Sequence, residues 1–108
     1  MKKRRPKITD FSRKVWRATK KIPKGKITTY KLLANAINKP KAYRAVGSAL
    51  NKNPYAPKVP CHRVIKSDGS LGGFAQGKKR KISLLKKEGF KITKEKIHGF
   101  KKHLFKFR

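Results

Sequence analysis

Acidic residues are nearly missing from this chain. Asp10, Asp68, Glu88 and Glu95 stand against 33 lysines and arginines, for a net charge of +29. So few acids exclude a surface laced with ion pairs, including the Lys/Glu-matched surface typical of thermophiles. Self-repulsion on this scale weakens the compact state, so a polyanionic partner is expected. Nucleic acid ranks first, because neutralising phosphates releases counterions whatever the base sequence. An acidic membrane surface ranks second, since a basic amphipathic helix would suit it. A membrane span is excluded, because no apolar run approaches the roughly 20 residues required. Cysteine is scarce too: Cys61 is the only one. An internal disulfide is therefore excluded, which fits a reducing intracellular compartment. No metal site is expected, since His98 and His103 are five apart, off a common helical face, and no cysteine pair exists. At 108 residues the chain is one domain. The opening MKKRRPK is followed by no apolar stretch, so residues 1–10 read as a basic arm rather than a signal peptide.

What is present reads first as helices. In TDFSRKVWRATKKI, Thr9 or Asp10 can cap a helix whose Phe11, Val15, Ala18 and Ile22 share one face. PKGK at 23–26 ends it. In ITTYKLLANAI, Thr28 or Thr29 caps a short second helix expected to bury Leu32, Leu33, Ala36 and Ile37. A turn at NKPK follows, with Pro40 suited to a first helical position. A third helix, AYRAVGSALNK, is expected to turn Ala42, Ala45, Val46, Ala49 and Leu50 inward. Two short helices joined tightly, the second carrying Arg44 and Lys52, have the outline of a helix-turn-helix.

Residues 53–77 change character. NPYAPKVP is extended, because a residue before proline is pushed away from the α region. CHRVI suits a short strand or a 3₁₀ turn. KSDGSLGGFAQG holds four of the eight glycines and reads as a loop that lets a ligand approach the backbone. KKRKISLLKKEG restores a helix burying Ile82 and Leu85, with Gly89 as its stop. The tail at 90–108 alternates apolar and basic stretches without a clear period. Part of it can add a strand, and the rest reads as a loosely held basic segment.

A free cysteine is most often a small buried hydrophobe. Around Cys61, however, the Pro- and Gly-rich frame suits a pocket, and the surrounding positive charge is expected to favour thiolate over thiol. His62 is adjacent in sequence, so it does not face Cys61 automatically; a bent backbone or a bridging water is needed for it to take the thiol proton. Glu88, at the end of the fourth helix, is a candidate to orient that imidazole. An acid near a helix C-terminus is unfavourable for the dipole and asks for a reason. A cysteine hydrolase is the generic alternative, although the net charge is odd for a peptidase.

The segment RAVGSALNKNPYAPKVPCHRVIKSDGSLGGFAQG resembles the active-site region of the O6-alkylguanine-DNA alkyltransferases. The likeness runs over residues 11–89, with RAVG, NP, PCHRVI, DGSLGGF and LLKKEG in order at family spacing. The resemblance implies a mainly α, small winged-helix-like domain with a helix-turn-helix and a Gly-rich active-site loop. It implies that the chain moves the alkyl group from O6-alkylguanine, with O4-alkylthymine as a further substrate, irreversibly onto Cys61 in a single turnover. No cofactor is implied. In the family, Glu88 would orient His62, His62 would deprotonate Cys61 through a water, Tyr30 would donate to the departing base, and Asn53 would buttress the turn. Backbone groups around Cys61, Leu71 and Ala75 would read guanine, with Gly72 and Phe74 completing the base pocket. The second helix of the pair would enter the minor groove with the target nucleotide rotated out and Arg44 filling the gap. Ala45 and Gly47 would keep that helix slim, while Ser67, Lys52 and other lysines meet phosphates.

The implied partner is double-stranded DNA carrying the lesion, bound by a monomer with no membrane, in the cytoplasm or, in a eukaryote, the nucleus. Two departures stand out. Phe74 sits where a tyrosine is frequent, and Gln76 replaces a glycine, which is expected to restrict large alkyl groups. The alternatives are an alkyltransferase-like protein, a class that binds the lesion but lacks the cysteine, and a small architectural DNA-binding protein or regulator whose thiol is incidental.

Overall fold

The computed structural model describes residues 9–53, 58–74 and 77–107. The basic arm up to residue 8, and the positions of Ala75 and Gln76, lie outside the described residues. Helix α1 (Asp10–Lys20) begins where the Thr9 hydroxyl accepts the Ser12 N–H at 3.1 Å. That bond satisfies one of the first-turn N–H groups a helix leaves without a partner. Helix α2 (Tyr30–Ala36) starts the same way, with Thr29 accepting from the Leu32 N–H at 3.1 Å. Helix α3 (Tyr43–Asn51) follows, and α1, α2 and α3 pack on one another. The Trp16 indole N–H donates to the Ala49 carbonyl at 2.9 Å, tying α1 to α3.

Two strands of two residues each, β1 (Thr28–Thr29) and β2 (Val64–Ile65), pair in parallel with Thr28 opposite Val64. A 3₁₀ turn over Cys61–Arg63 leads into β2, so CHRVI supplies both the turn and the strand. Helix α4 (Lys78–Lys87) stops at Gly89, whose φ of +98° suits glycine. A hairpin of β3 (Ile92–Thr93) and β4 (Lys96–Ile97) then leads to a second 3₁₀ turn, Phe100–His103. The described residues are thus mainly α, with a helix-turn-helix and a small wing.

Two apolar clusters form the core. One joins α1, α2 and α3 to Cys61 and Val64. The other gathers Ile27, Ile65, Leu71, Leu85, Phe90 and Ile97.

Several expectations need correcting. In α2 the buried face is Leu33 and Ala34, while Leu32 is 37% exposed and Ala36 is exposed. Tyr30, Leu33, Ala34 and Ile37 pack on the core together, and they form the i, i+3, i+4, i+7 stripe of a two-turn helix. In α3, Ala45 is exposed rather than inward, and Pro40 lies in the turn before the helix, with Ala42 as the cap. In α4, Ile82 is only half-buried, and Lys81 is fully buried in its place. The tail is not loosely held. The Ile27 N–H donates to His103 O at 2.9 Å and the Phe105 N–H to Ile27 O at 2.7 Å, which adds the chain near Leu104 beside β1. Phe100 lies against Gly69, where a Cβ would come within 2.6 Å of its ring.

Candidate active site

Pro60 hands the chain into the tight turn that carries the thiol. Within it, the Cys61 N–H donates to Val59 O at 2.8 Å and the Arg63 N–H to Pro60 O at 2.9 Å. Cys61 is only 4% exposed. The Asn53 amide donates to Val59 O at 3.1 Å and to Cys61 Sγ at 3.5 Å, so one side chain braces both the approach to the turn and the sulfur. Burial pushes the thiol pKa up. The Asn53 hydrogen bond and the Lys81 charge pull it down without reversing the shift. The expected pull of positive charge toward thiolate is present in Lys81, but burial outweighs it, so the net shift is upward and the thiol needs a base.

The imidazole of His62 is 2% exposed. Its Nε2 lies 2.8 Å from Glu88 Oε2. With that carboxylate accepting from Nε2–H, the proton-free nitrogen is Nδ1, which is buried with no protein hydrogen-bond partner among the described residues. Burial holds the His62 pKa down against the opposing pull of Glu88, so the ring is neutral at rest and able to accept a proton. Arg63 grips the same carboxylate with Nε at 2.9 Å and a terminal nitrogen at 2.7 Å, and reaches Ile22 O at 2.7 Å. Burial alone would raise the Glu88 pKa, but the bonds from Arg63 and His62 together bring it below its usual range. The acid at the end of α4 thereby has its reason: it fixes the imidazole and is itself fixed by a guanidinium.

Tyr30 opens α2 directly after β1, and Cys61 lies just before β2, so the parallel strand pair sets one relative to the other. Burial and the neighbouring Cys61 push the phenol up to about 12, which keeps it a donor. Its hydroxyl lies against Gly72, where φ is +70° and a Cβ would fall 2.9 Å from the phenol oxygen. On the outer side of Tyr30 is a cleft of ≈ 450 Å³ lined by Tyr30, Lys31, Tyr43, Arg44, Gly47 and Ser67, among others. Its one acid, Asp68, turns its carboxylate to Ser70, accepting from the backbone N–H at 2.9 Å and the hydroxyl at 2.6 Å.

The expected residues divide in two around Tyr30. Cys61, His62, Glu88 and Asn53 gather behind it, and Arg44, Gly47 and Ser67 line the cleft with it. Ala45 is exposed on α3. Lys52 caps the far end of α3 and does not line the cleft. Phe74 sets its ring edge-on to His62, centroids 6.4 Å apart. Leu71 is fully buried. Its N–H already donates to Glu95 O at 2.9 Å and its carbonyl accepts from Lys81 at 2.5 Å. Ala75 lies outside the described residues. Sequence reasoning missed Arg63 and Lys81, two cations among many. The motif PCHRV held a signal for Arg63, since an arginine beside the thiol asks for a partner as Glu88 does.

These parts define a class: a helix-turn-helix domain that carries a buried thiol held by Asn53 and a buried imidazole held by Glu88. Residues 10–90 match the family described as 6-O-methylguanine DNA methyltransferase, DNA binding domain, and the chain belongs to that family. Among curated relatives, the methylated-DNA–protein-cysteine methyltransferase of Methanosarcina barkeri is 55% identical over 83 residues, covering 77% of this chain and 52% of the relative. The bifunctional transcriptional activator/DNA repair enzyme Ada of Escherichia coli is 50% identical over 80 residues, covering 74% and 23%. The chain thus spans about half the length of that methyltransferase, and less of Ada. Among solved structures, Mycobacterium tuberculosis OGT in complex with DNA is similar at 48% identity and TM-score 0.71, covering 74% of this chain and 50% of that one. Schizosaccharomyces pombe Atl1, in complex with damaged DNA containing O6-carboxymethylguanine, is similar at 30% identity and TM-score 0.82 over 94% of this chain and 99% of that one.

Proposed function

We propose that this chain removes the alkyl group from O6-alkylguanine in double-stranded DNA by transferring it to Cys61, once per molecule. The observation that carries the reading is the grouping of a buried thiol held by Asn53 with a neutral imidazole held by Glu88, in a domain of this family. His62 Nδ1 takes the thiol proton through an intervening water, and the sulfur attacks the saturated carbon in line. A C–S bond forms, the C–O bond breaks, and guanine leaves with the electron pair while Tyr30 donates to it. A thioether sulfur is a poor leaving group, so the thiol is not regenerated. Arg44 occupies the stack from which the nucleotide has turned, and Ser67 with the cleft lysines meets phosphates. The protein acts wherever the DNA is; among the described residues no helix is long and apolar enough to cross a membrane.

A second reading, lesion binding without transfer, is favoured by one observation: the chain matches Atl1 almost end to end. Intact mass and peptide mapping after incubation with an O6-methylguanine duplex decide between them. Transfer adds one methyl to Cys61 and none in Cys61→Ser. Tight binding with unchanged mass would leave the second reading standing.

A further inference from the structure

Lys81 has no part in the reaction as just described, yet it heads the fully buried side chains in size and is 0% exposed. It projects from α4, and its Nζ donates to Val64 O at 2.7 Å, Leu71 O at 2.5 Å and Gly73 O at 3.2 Å. One of these carbonyls belongs to β2, just after the thiol turn. The other two belong to the Gly-rich loop whose Gly72 lies against the Tyr30 hydroxyl. Among the described residues no carboxylate pairs with it: Glu88 is taken by His62 and Arg63, and Glu95 by Lys78. A buried ammonium without a counter-ion costs several kcal/mol, whereas a methionine would fill similar space without that cost. Packing alone therefore does not account for it.

The charged form is the one the site is built to hold. An ammonium has three N–H donors for three carbonyls, while a neutral amine has two and a lone pair with no donor to meet it. The titratable groups around it are Cys61, Tyr30 and His62: its Nζ lies 6.0 Å from the centre of the Tyr30 ring, and its charge disfavours protonation of both Cys61 and His62. Burial brings Lys81 down to about 7, and the charge on Cys61 opposes that shift. Ammonium and thiolate thus favour one another.

We infer that Lys81 is a positioning residue for the transfer: it ties β2 to the Gly-rich loop and supplies the positive charge beside which the Cys61 thiolate forms. The inference rests on the alkyl-transfer reading for its consequence, but its effect on the thiol is measurable without DNA. In Lys81→Met the apparent pKa of Cys61, read from iodoacetamide alkylation against pH, rises by about one unit. Methyl transfer at neutral pH slows about 10-fold for the same reason. Affinity for undamaged duplex stays within about 3-fold, because the ammonium does not reach the cleft.

Lys81→Gln keeps donors but loses the charge, so its thiol curve moves in the same direction while loop stability is better preserved. Should neither variant fold, wild-type protein carrying ¹³Cε-lysine answers the question: the Lys81 resonance must titrate differently once Cys61 is blocked. Thiol curves unmoved in the variants, or a Lys81 resonance blind to the state of Cys61, overturn the inference. Wild-type protein that leaves its methylated substrate untouched, while the thiol curves still shift, overturns only the alkyl-transfer reading.

Discussion

Gly72 and Tyr30 are in contact so close that a single added carbon would sit 2.9 Å from the phenol oxygen. The glycine also has φ of +70°, a region that costs other residues roughly 1–2 kcal/mol. Gly72→Ala therefore displaces either the loop or the hydroxyl. Expected are a loss of about 2 kcal/mol in stability and methyl transfer slowed about 10-fold, on the ground that a misplaced donor loses its hydrogen bond. Gly73→Ala is the control, since nothing lies within 4 Å of its Cβ position and its φ is not positive. Single-turnover rates and thermal melts of the two variants check this; equal losses in both would refute the contact's importance.

The pH dependence of the thiol has a definite sign. Burial raises its pKa above an ordinary 9.0, so the thiolate fraction of the free protein keeps growing as pH rises through neutrality. Iodoacetamide alkylation of Cys61 is expected to climb with pH and reach no plateau below pH 9. Asn53→Ala removes the donor at 3.5 Å that favours thiolate, and so shifts the curve further upward. A plateau near pH 7 in the wild type would contradict both expectations.

Glu88 governs acid stability. Its native pKa lies below the unfolded one, so its contribution is complete above the ordinary carboxylate value of 4.5 and is lost as pH falls through the lower native value. Melting temperature is expected to fall on acidification from about pH 4.5 downward, with a shallower fall in Glu88→Gln. At neutral pH that variant leaves Arg63 without its carboxylate partner and costs about 3 kcal/mol. Melts across pH 2.5–7 (roughly the span of carboxylate titration) for both proteins separate the two effects.

The cleft cations make a salt prediction. Lys66 and Arg44 both line it. Losing one phosphate contact lowers the slope of log affinity against log salt by about 0.9. Lys66→Ala is expected to show that change with equal loss on damaged and undamaged duplex. Arg44→Ala is expected to slow methyl transfer more than it weakens binding, because filling the vacated stack matters only once the base has left it. Filter binding across a salt series, alongside transfer rates, distinguishes the two.

How much of this was legible beforehand depended on length of pattern. Helices α1 and α3 run long enough for the 3.6-residue period to show, and Thr9 and Thr29 mark the starts of α1 and α2 by side-chain chemistry. In α2 the register slipped, because two turns give a period little chance to declare itself and Leu32 looked as apolar as Leu33. In the tail, pattern reading reaches no further than a strand somewhere in 90–108 and misses how firmly the rest is held. Its strands are two residues each, too short for alternation, and their place is fixed by backbone bonds to Gly69 and Leu71. At the site, motif residues were readable by type and spacing. Lys81 was not, since burial is a property of the fold and its composition-level neighbours are other lysines on the surface.

The strand pair that joins Thr28–Thr29 to Val64–Ile65 has a consequence in time as well as in space. Phenol and thiol sit on segments far apart in sequence, and this short parallel ladder helps to bring them together, with Tyr30 packed on the cluster that holds Cys61. Pairings between distant segments form slowly, because the intervening chain must be closed before they stabilise anything. A newly made or partly unfolded chain thus has its cysteine but neither its donor nor its fixed imidazole nearby. Under the proposed transfer, reactivity toward the lesion arrives only with the complete fold, so a thiol used once per molecule is kept from being spent before the chain is finished.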